Sequence, residues 1–495
     1  MDDRSAAPEK RLSNRHLEML PNAMSGPSFD RHTVTPGIVH LGLGAFHRAH
    51  QAAIIDRCLS SGETDWGIIG ASLRSPATRD ALDPQDGLYT LAVVDGSGER
   101  LTVIGALLRS LVAPEDPAAL IACLADPRIR IVTLTVTEKA YLRAASGGLD
   151  LDHPDIVHDL AAPESPRTIY GFLTAAIARR QAADIAPFTL LSCDNLPENG
   201  KTLKRLLVAF ATRRDAALGR FVDSAIAFPS SMVDRIVPAT TDADRDRISA
   251  RLGLQDAWPV TTEPFLQWVI EDNFTAGRPQ WERFGVEMVA HVAPFEEMKL
   301  RLLNGAHSAI AYLGLLAGHA TVSEAFADPL IRRFVSRLWA EAIPSLPSDA
   351  GLDPAAYVAS LTERFDNPAL KHRTAQIAND GSQKLPQRII AVALARLAAG
   401  GSADHLALVP AAWLAAAKAR NAGLPAAGFT DPLDEVLAEI FDGAGSSRDK
   451  VEAAIEAAGF AAGDRNRARL VDSIAAHYET LLQHGVTMTL EKVLA

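Results

Sequence analysis

A lysine, an asparagine and a histidine share one face of a predicted helix within FEEMKLRLLNGAHSAIAYL, residues 295–313. At 3.6 residues per turn, Lys299, Asn304 and His307 fall within about 140° of arc, together with leucines. Poor solvation favours the neutral amine of a lysine, which is then a candidate general base, while amide and imidazole groups can donate to an oxyanion. The alternative is an ordinary core helix whose lysine reaches solvent and whose histidine has structural partners.

Polar residues also follow two predicted strands at the point where each strand ends. Glu138 and Lys139 come after the apolar strand that leads into TVTEKAY, and Asn195 follows the strand of FTLLSCDNLPENG. Ligands of parallel sheets bind beyond the carboxyl ends of the strands, where an asparagine can donate a hydrogen bond to a reacting oxygen. An exposed ion pair and a simple turn are the alternatives, because Asp and Asn favour turns in any protein.

The segment HLGLGAFHRAH, residues 40–50, combines a strand, a glycine-rich turn and the start of a helix. Two glycines let the backbone approach a pyrophosphate, and the free N–H groups of a helix start favour anions. The spacing predicts a dinucleotide site formed by Gly42, Leu43, Gly44, Ala45 and Phe46. His47 replaces the third glycine of the fingerprint, so a purely structural turn is the alternative.

The second predicted strand, GIIGA, ends without the acidic residue that normally binds the ribose of NAD. Ser72, Leu73 and Arg74 follow it instead. An arginine at this place can hold a 2′-phosphate or stack on adenine, so this feature leaves NAD and NADP both open.

Cations cluster around a predicted turn in KHRTAQIANDGSQKLPQR, residues 371–388, which contains Arg373 and Lys384. Arginine clamps carboxylates through two parallel hydrogen bonds, so the cluster is a candidate site for an acidic substrate. A solvated helix end is the alternative. Asp234, in FPSSMVDRIVP, is a further charged residue between apolar segments.

The elements that must position these residues alternate between strand and helix along the first part of the chain. That alternation predicts a doubly wound α/β domain with a parallel sheet over residues 36–289. Residues 88–95 and 100–111 are expected to form a hairpin within it. Residues 1–35 are expected to be a loose extension, and the Ala- and Leu-rich residues 290–495 a mainly α-helical domain.

Composition narrows the class of protein. With 49 basic and 60 acidic residues, the net charge of −11 argues against nucleic acid as a partner, but not against a small anionic substrate. Three cysteines and no Cys/His cluster predict a reduced, cytoplasmic protein without a metal site. The N-terminus lacks the apolar core of a signal peptide and no run of about 18 apolar residues occurs, so no membrane association is expected.

Several blocks of the sequence, taken in order, resemble the mannitol dehydrogenase family of long-chain polyol-specific dehydrogenases. They are IVHLGLGAFHRAHQA, QDGLYTL, IVTLTVTEKAY, LSCDNLPENG, FPSSMVDRIVP, EPFLQWVIEDNF and MKLRLLNGAHSAIAYLG. The resemblance implies a Rossmann-type N-terminal domain, a helical C-terminal domain, NAD as the cofactor and no catalytic metal. It also implies that Lys299 is the catalytic base, that Asn195 and Asn304 hold the reacting oxygen, and that His307 orients the substrate.

Other site positions are implied by the same resemblance. Glu138 matches a carboxylate linked to proton movement between site and water, and Asp234 and Lys384 match substrate-binding positions. Within the family the sequence most resembles the fructuronate reductases, which act on sugar acids. Lys139 stands where the polyol enzymes usually have glycine, and the segment that includes Arg373 is close to that of the sugar-acid enzymes.

The implied reaction is the NAD-dependent interconversion of D-mannonate and D-fructuronate by hydride transfer, in hexuronate catabolism. A mannitol 2-dehydrogenase, or a polyol dehydrogenase acting on arabinitol or sorbitol, is the alternative within the family. A dinucleotide-binding protein without turnover is an alternative of another class, and a metal-dependent hydrolase is disfavoured because no HxH or HExxH spacing occurs. The expected partner is a small sugar acid or polyol, and the chain is expected to be a monomer or a small homo-oligomer.

Overall fold

A computed structural model describes residues 10–348, 351–421 and 428–495. The chain divides into two compact units, Met1–Ala293 and Pro294–Ala495. The sequence placed a domain boundary at residues 289 and 290, a few residues before this division.

The strands all belong to the N-terminal unit. They are β1 (Pro36–Leu41), β2 (Gly67–Ser72), β3 (Tyr89–Asp95), β4 (Gly98–Ile104), β5 (Leu107–Val112), β6 (Ile131–Leu134), β7 (Thr189–Ser192), β8 (Ser231–Asp234), β9 (Val260–Thr262), β10 (Gln267–Glu271) and β11 (Glu287–Val289). The main sheet is parallel throughout and has the order β5-β2-β1-β6-β7. Two smaller sheets have the orders β11-β10-β8 and β4-β3-β9.

Helices cover both faces of the main sheet. They include α1 (Ala45–Ala49), α2 (Gln51–Ser60), α3 (Ala77–Leu82), α4 (Pro117–Ala125), α5 (Pro154–Ala161), α6 (Ile169–Ala182), α7 (Asn199–Arg214), α8 (Ala216–Ala225) and α9 (Asp242–Leu252). Along β1, Val39 and Leu41 belong to an apolar cluster with α4, α6 and α7, whereas Ile38 belongs to a second cluster with α2. Burial on both faces is typical of parallel sheets. The prediction of a doubly wound parallel α/β fold is confirmed.

The structure corrects the predicted hairpin of residues 88–111. Strands β3 and β4 do form a hairpin, but the chain leaves it at Gly105. The next strand, β5, pairs in parallel with β2 in the main sheet. A Cβ atom at Gly105 would overlap the ring of Pro27, so a contact with a distant segment helps to set the break. Periodicity within the strand sequence cannot reveal such a contact.

Residues 1–9 of the predicted loose extension lie outside the described residues, and from residue 10 onward the segment is not loose. The side chain of Leu12 is fully buried in an apolar cluster of the N-terminal unit. The guanidinium of Arg31 donates hydrogen bonds to the carbonyl oxygens of Gly105, at 2.9 Å, and Leu107, at 2.7 Å. These partners lie far along the chain, so the polar composition of the segment gave no sign of them.

The C-terminal unit is helical, as predicted, and its described residues form no strand. Its helices are α10 (Ala293–Met298), α11 (Gly305–Ala317), α12 (Val322–Ala327), α13 (Pro329–Ala342), α14 (Pro354–Asp366), α15 (Thr374–Ala378), α16 (Gly381–Leu385), α17 (Ala391–Ala398), α18 (Asp404–Asn421), α19 (Asp434–Asp442), α20 (Ser447–Ala457) and α21 (Arg467–Leu494, with a kink at Gly485). A π-helix, Lys299–Asn304, joins α10 to α11, and a second, Pro386–Ile390, joins α16 to α17. Within the described ranges, no helix has the length and apolar character that a membrane span requires.

Candidate functional site

A cavity of about 650 Å³ lies in the N-terminal unit beyond the carboxyl ends of β1, β2 and β6. Its walls include Gly42, Leu43 and Gly44 after β1, Arg74 after β2 and Thr137 after β6. This is the edge at which open parallel sheets bind their ligands. The loop after β1 and Arg74, both predicted to contact a cofactor, therefore face one cavity.

Gly42 and Gly44 leave bare backbone in the wall of this cavity for different reasons. Gly42 has a φ of +94°, and a Cβ atom there would overlap the carbonyl oxygen of Thr135, so only glycine fits. A Cβ atom at Gly44 would meet nothing closer than 3.7 Å, so glycine at this position keeps the cavity open. The loop fits a dinucleotide, because a pyrophosphate must approach the backbone closely.

Ala45 and Phe46, also predicted to contact the cofactor, are not among the residues that line the cavity. They form the first turn of α1 and pack against the apolar cluster that contains Trp268. No side chain caps this turn. The backbone N–H groups of the turn, rather than the two side chains, are therefore what these residues can offer a ligand.

His40, on β1, supports the glycine loop from the sheet. Its ring nitrogens lie 2.8 Å from the hydroxyl of Thr133 and 2.9 Å from that of Thr135. Burial lowers the pKa of His40 to about 3, so the ring is neutral at physiological pH. The ring stacks on His47 with centroids 3.3 Å apart. His47, which stands in place of the third fingerprint glycine, thus packs behind the loop.

A buried carboxylate connects the loops that follow β6 and β7. Asp194 Oδ1 accepts a 2.8 Å hydrogen bond from the N–H of Thr137, and Oδ2 accepts one of 2.8 Å from the hydroxyl of Tyr141. Thr137 has a φ of +71°, which is strained for a residue other than glycine, so the contact holds an unfavourable backbone conformation. No sequence motif pointed to Asp194, although it lies directly before the predicted Asn195.

The candidate residues on these two loops are exposed. Glu138 pairs with Arg143 at 3.0 Å, and the Glu138 side chain keeps 66% of its surface exposed. Lys139 and Asn195 are exposed too. The structure therefore brings Glu138, Lys139 and Asn195 to the carboxyl ends of neighbouring strands, as predicted, within reach of solvent.

Asp234 is buried at the carboxyl end of β8, opposite Gln267 of β10. The side-chain amide of Asn199 donates to the carbonyl oxygens of Asp194, at 3.0 Å, and Ser231, at 2.7 Å. One amide thus ties the strand of Asp234 to the loop of Asn195. The two predicted positions are parts of one connected edge of the N-terminal unit.

In the C-terminal unit, Lys299 and Asn304 are the first and last residues of the first π-helix. A π-helix has i→i+5 hydrogen bonds, so residues five apart lie one turn apart, and the angles expected for an α-helix do not apply. Lys299 and Asn304 consequently lie closer in angle than the sequence predicted. Both side chains are half-buried.

His307, one turn further on, is buried with 8% of its surface exposed. Its ring lies 5.3 Å from that of His372, edge to face, and its Nε2 atom is buried with no hydrogen-bond partner in the described part of the chain. The pKa of His307 lies well below its usual value. Burial is the largest cause, and the charges of His372, Arg364, Arg388 and Lys299 lower it further. A neutral imidazole therefore sits among several cations.

Lys384 and Arg388 extend this positive group. Lys384 Nζ donates to the carbonyl oxygen of Asn379 at 2.7 Å and lies 3.6 Å from Asp380. Burial, and then the charge of Arg388, lower the pKa of Lys384. The guanidinium of Arg388, in the second π-helix, donates to the hydroxyl of Ser308 at 3.3 Å.

Arg373, also predicted to bind substrate, is exposed directly before α15. Arg364 and Arg388 are among the charges that lower the pKa of His307. Arg388 belongs to the cationic segment 371–388 that the sequence singled out, whereas no sequence pattern pointed to Arg364. Arg364 lies in an unremarkable helix, α14, and only the fold places it near the histidine.

Among residues 10–348, 351–421 and 428–495, no group of three or more His, Cys, Asp or Glu side chains has the arrangement of a metal site. The described cysteines are all buried and unpaired.

Two family models account for most of the chain. One, described as the mannitol dehydrogenase Rossmann domain, matches residues 36–283, and the other, described as the mannitol dehydrogenase C-terminal domain, matches residues 291–482. The chain belongs to the mannitol dehydrogenase family. The resemblance drawn from the sequence motifs is thereby confirmed, and the chain is an oxidoreductase of this family.

Named members of the mannitol dehydrogenase family match the chain at similar identity. D-mannonate oxidoreductase of Escherichia coli K12 is 41% identical over 469 residues, which is 93% of this chain and 96% of that protein. Mannitol 2-dehydrogenase of Pyrenophora tritici-repentis is 42% identical over 447 residues, 88% of this chain and 78% of that protein. The similarity therefore establishes the family and not the substrate.

A solved structure extends the comparison to three dimensions. Pseudomonas fluorescens mannitol 2-dehydrogenase, in a ternary complex with NAD and D-mannitol, has a TM-score of 0.83 and 37% sequence identity to this chain. The match covers 98% of this chain and 99% of that one. The Rossmann-type N-terminal unit and the helical C-terminal unit are thus those of the mannitol dehydrogenase family.

Proposed function

We propose that this chain uses a nicotinamide dinucleotide to interconvert D-mannonate and D-fructuronate. The observation that carries the proposal is the positive charge grouped around His307 in the C-terminal unit. Arg364, Arg388 and Lys299 all lower the pKa of this buried histidine. A carboxylate is stabilised by such a group through charge-assisted hydrogen bonds, whereas a neutral polyol brings no charge to match it.

Arg388 is the side chain best suited to bind the carboxylate. Its guanidinium has five N–H donors, and its hydrogen bond within the described part of the chain goes to a neutral partner, the hydroxyl of Ser308. Burial lowers the pKa of Arg388, which remains a cation at neutral pH. A half-buried arginine of this kind is stabilised when an anionic ligand arrives. Lys384, close enough to Arg388 to respond to its charge, adds a second cation.

The dinucleotide, when bound, supplies the hydride acceptor or donor. Lys299 is the proposed general base, whose Nζ takes the proton of the substrate hydroxyl in oxidation and returns it in reduction. Asn304, one π-turn away, is the proposed donor to the developing alkoxide. His307, neutral and with Nε2 lacking a partner in the described residues, is proposed to orient a substrate hydroxyl.

The proposed contributions of the N-terminal unit come from the edge of its main sheet. Asn195 is the proposed second donor to the alkoxide, and Glu138, which is exposed beside Arg143, is proposed to exchange protons with water. Asp234 is proposed to bind substrate. The connection of the two loops through Asp194 supports this set, because donors must be held in place before the reaction.

Lys139 and Arg373 are proposed as outer contacts of a charged substrate. Both side chains are exposed, so solvent screens their charge and each contributes less than a buried cation. The relative that carries the name D-mannonate oxidoreductase, matched over nearly its full length, supports the choice of a sugar acid.

The deciding experiment compares the oxidation of reduced dinucleotide with D-fructuronate and with D-fructose. We expect kcat/KM to be at least about a hundredfold higher for fructuronate, because a partly buried charge left without an anionic partner is costly. Arg388→Gln should raise KM for fructuronate and change turnover of fructose little. Arg213→Gln, at an exposed position on α7, is the control and should change neither.

The alternatives give different results in the same assay. Preference for fructose would make the chain a mannitol 2-dehydrogenase, and sorbitol and arabinitol would then be tested in the oxidative direction. Tight binding of dinucleotide with no turnover of any of these compounds would indicate a binding protein and overturn the proposal.

A further inference from the structure

We infer that Trp339, on α13, is a positioning residue for the proposed reaction, because its indole N–H holds the π-helix that carries Lys299 and Asn304. The indole Nε1 donates a 3.0 Å hydrogen bond to the carbonyl oxygen of Leu302, inside that π-helix. The inference rests on the proposed function, since it states how the proposed base and alkoxide donor are kept in register. Trp339 is only 3% exposed, so it acts through the helix and not by contact with substrate.

The backbone of this π-helix shares one donor between two carbonyl groups. The N–H of Gly305, directly after the π-helix, is directed at the carbonyl oxygens of both Leu300 and Leu302. The hydrogen bond to Leu300 spans five residues and is the type that defines a π-helix, whereas the one to Leu302 spans three. A buried carbonyl group without a good donor is costly. The indole N–H gives Leu302 a separate donor, which favours the register in which the N–H of Gly305 stays with Leu300.

The register of this helix decides where Lys299 and Asn304 lie. In an α-helix, two residues five apart point about 140° away from each other around the axis. With i→i+5 hydrogen bonds they lie about one turn apart on the same side. A general base and an alkoxide donor act on one oxygen atom, so they must lie on one side of the helix. A hydrogen bond that favours the π register therefore favours the arrangement that the proposed reaction requires.

A second contact attaches the same π-helix to the end of α13. The guanidinium of Arg301 donates to the carbonyl oxygen of Ser345 and, at 3.2 Å, to its hydroxyl, in the turn Ile343–Ser345 that follows α13. The guanidinium also pairs with Glu297, on α10, at 2.8 Å. Two successive residues of the π-helix, Arg301 and Leu302, are thus attached to one segment, α13 with its final turn.

Helix α13 is itself fixed close to Trp339. The carboxylate of Glu341, two residues further on, is buried and accepts a 3.1 Å hydrogen bond from the N–H of Leu406. It also lies 2.8 Å from Nδ1 of His405. Leu406 and His405 belong to the first turn of α18, which packs against α11. The indole is therefore held by the core of the C-terminal unit rather than by a loop.

The ring of Trp339 also reaches His307 through one further aromatic side chain. Trp339 stacks on Phe365, of α14, with ring centroids 6.2 Å apart and planes 16° apart. The ring of Phe365 lies 4.9 Å from that of His307. One side chain thus contacts both the backbone between Lys299 and Asn304 and the ring that packs on His307. The hydrogen bond and the stacking can be separated, because phenylalanine keeps an aromatic ring and lacks the N–H.

Trp339→Phe tests the hydrogen bond. We expect kcat to fall about tenfold, the effect of a buried carbonyl group that loses a donor, while KM and the Kd of the dinucleotide stay within about twofold. Trp281→Phe is the matched control and should keep the wild-type kcat. The indole of Trp281 is buried in the N-terminal unit, and its nitrogen has no hydrogen-bond partner in the described residues. If Trp339→Phe folds poorly, 3-benzothienylalanine at position 339 replaces the N–H by sulfur in a ring of the same shape, and should give the same fall in kcat.

The double variant Trp339→Phe/Lys299→Met distinguishes positioning from general damage. If the indole acts by placing Lys299 beside Asn304, its loss should lower kcat by less than about threefold once the lysine is absent. A tenfold fall in both backgrounds overturns the inference. A wild-type kcat in the single variant Trp339→Phe overturns it too.

The structure of the π-helix separates this inference from the proposed function. If the wild-type protein turns over neither sugar acids nor polyols, the proposed function fails, and crystal structures of the wild type and of Trp339→Phe decide the role of the indole. We expect the variant to lose the hydrogen bond from Gly305 to Leu300 and to take an α-helical register over residues 299–304. An unchanged π-helix in Trp339→Phe overturns the inference whatever the kinetics.

Discussion

The hydroxyl of Tyr141 donates a 2.8 Å hydrogen bond to the carboxylate of Asp194, and so links the loop after β6 to the loop after β7. Tyr141 ends the short turn that begins with Glu138, and Asp194 directly precedes Asn195. The same carboxylate accepts the N–H of Thr137, immediately before Glu138. A single buried group therefore sets the relative position of two side chains to which we assign roles in the reaction.

Asp194→Asn should impair turnover more than binding. The amide keeps the size of the carboxylate but can accept only at its oxygen, so one of the two hydrogen bonds at 2.8 Å is lost. Loss of one hydrogen bond to a buried charged group costs about 1.5–3 kcal/mol, which corresponds to a fall in kcat of about tenfold or more. We expect the Kd of the dinucleotide to stay within twofold, as measured by titration.

The control for this change is Asp223→Asn on α8, an exposed aspartate paired with Lys204. It should leave kcat and Kd unaltered. A wild-type kcat in Asp194→Asn would show that the link between the two loops does not position Asn195 or Glu138.

Gly42→Ala and Gly44→Ala should separate stability from binding. At Gly42 a Cβ atom overlaps the carbonyl oxygen of Thr135 and the φ of +94° is unfavourable, so alanine should destabilise the fold by about 2 kcal/mol or more. At Gly44 the Cβ atom meets no protein atom within 3.7 Å, so alanine should leave the melting temperature nearly unchanged. The added methyl group at position 44 would project into the proposed pyrophosphate site, so Gly44→Ala should still weaken dinucleotide binding. Equal losses of stability in both variants would contradict this account.

Much of the fold follows from local sequence because buried parallel strands are short apolar runs. IVHL and IVTL were predicted as strands at the positions that β1 and β6 occupy. The break at Gly105 and the attachment of Arg31 were not predictable in the same way, since each depends on a segment distant in the chain. Local patterns specify the elements, whereas contacts between distant segments specify where some of them end.

The candidate site likewise has features that local sequence predicts and features that depend on contacts between distant segments. The residue types at Lys299 and Asn304 identified the segment as a candidate site. A helical wheel with 3.6 residues per turn could not describe it, because Lys299 and Asn304 are the two ends of a π-helix. The positive surroundings of His307 come from Arg364 and Arg388, on α14 and on the second π-helix. The sequence marked the cations of residues 371–388, but no spacing connects them with Arg364 or with His307, so only the fold shows that these charges are grouped.

Lys299→Met should lower kcat by about 10²–10⁴-fold in both directions, the usual contribution of a general acid or base. Methionine keeps an unbranched side chain of similar length, so the half-buried position should remain packed. The Kd of the dinucleotide should stay within about twofold, because the proposed role of Lys299 is in proton transfer. Lys492→Met, at an exposed position of α21, is the control. A variant at Lys299 with near-normal turnover would refute the assignment of the base.

Asp56 should make the stability of the protein depend on pH. Burial raises its pKa to about 7 from a usual value of 3.8, although the N–H of Gly105 donates to the carboxylate at 2.6 Å and Arg31 adds positive charge. Between about pH 4 and pH 7 the folded carboxyl keeps a proton that the unfolded chain releases, so the free energy of unfolding falls as the pH rises through that window. The slope is at most about 1.4 kcal/mol per pH unit.

Asp56→Asn removes the ionisation and keeps an oxygen that can accept the N–H of Gly105. Its melting temperature relative to wild type should therefore rise as the pH is increased from about 5 to about 8, because only the wild-type protein must bury a charge at the higher pH. Asp246→Asn, at an exposed position of α9, should show no such trend. If the difference between Asp56→Asn and wild type is constant across this range, the carboxyl does not titrate near neutrality, and the hydrogen bond from Gly105 and the charge of Arg31 outweigh its burial.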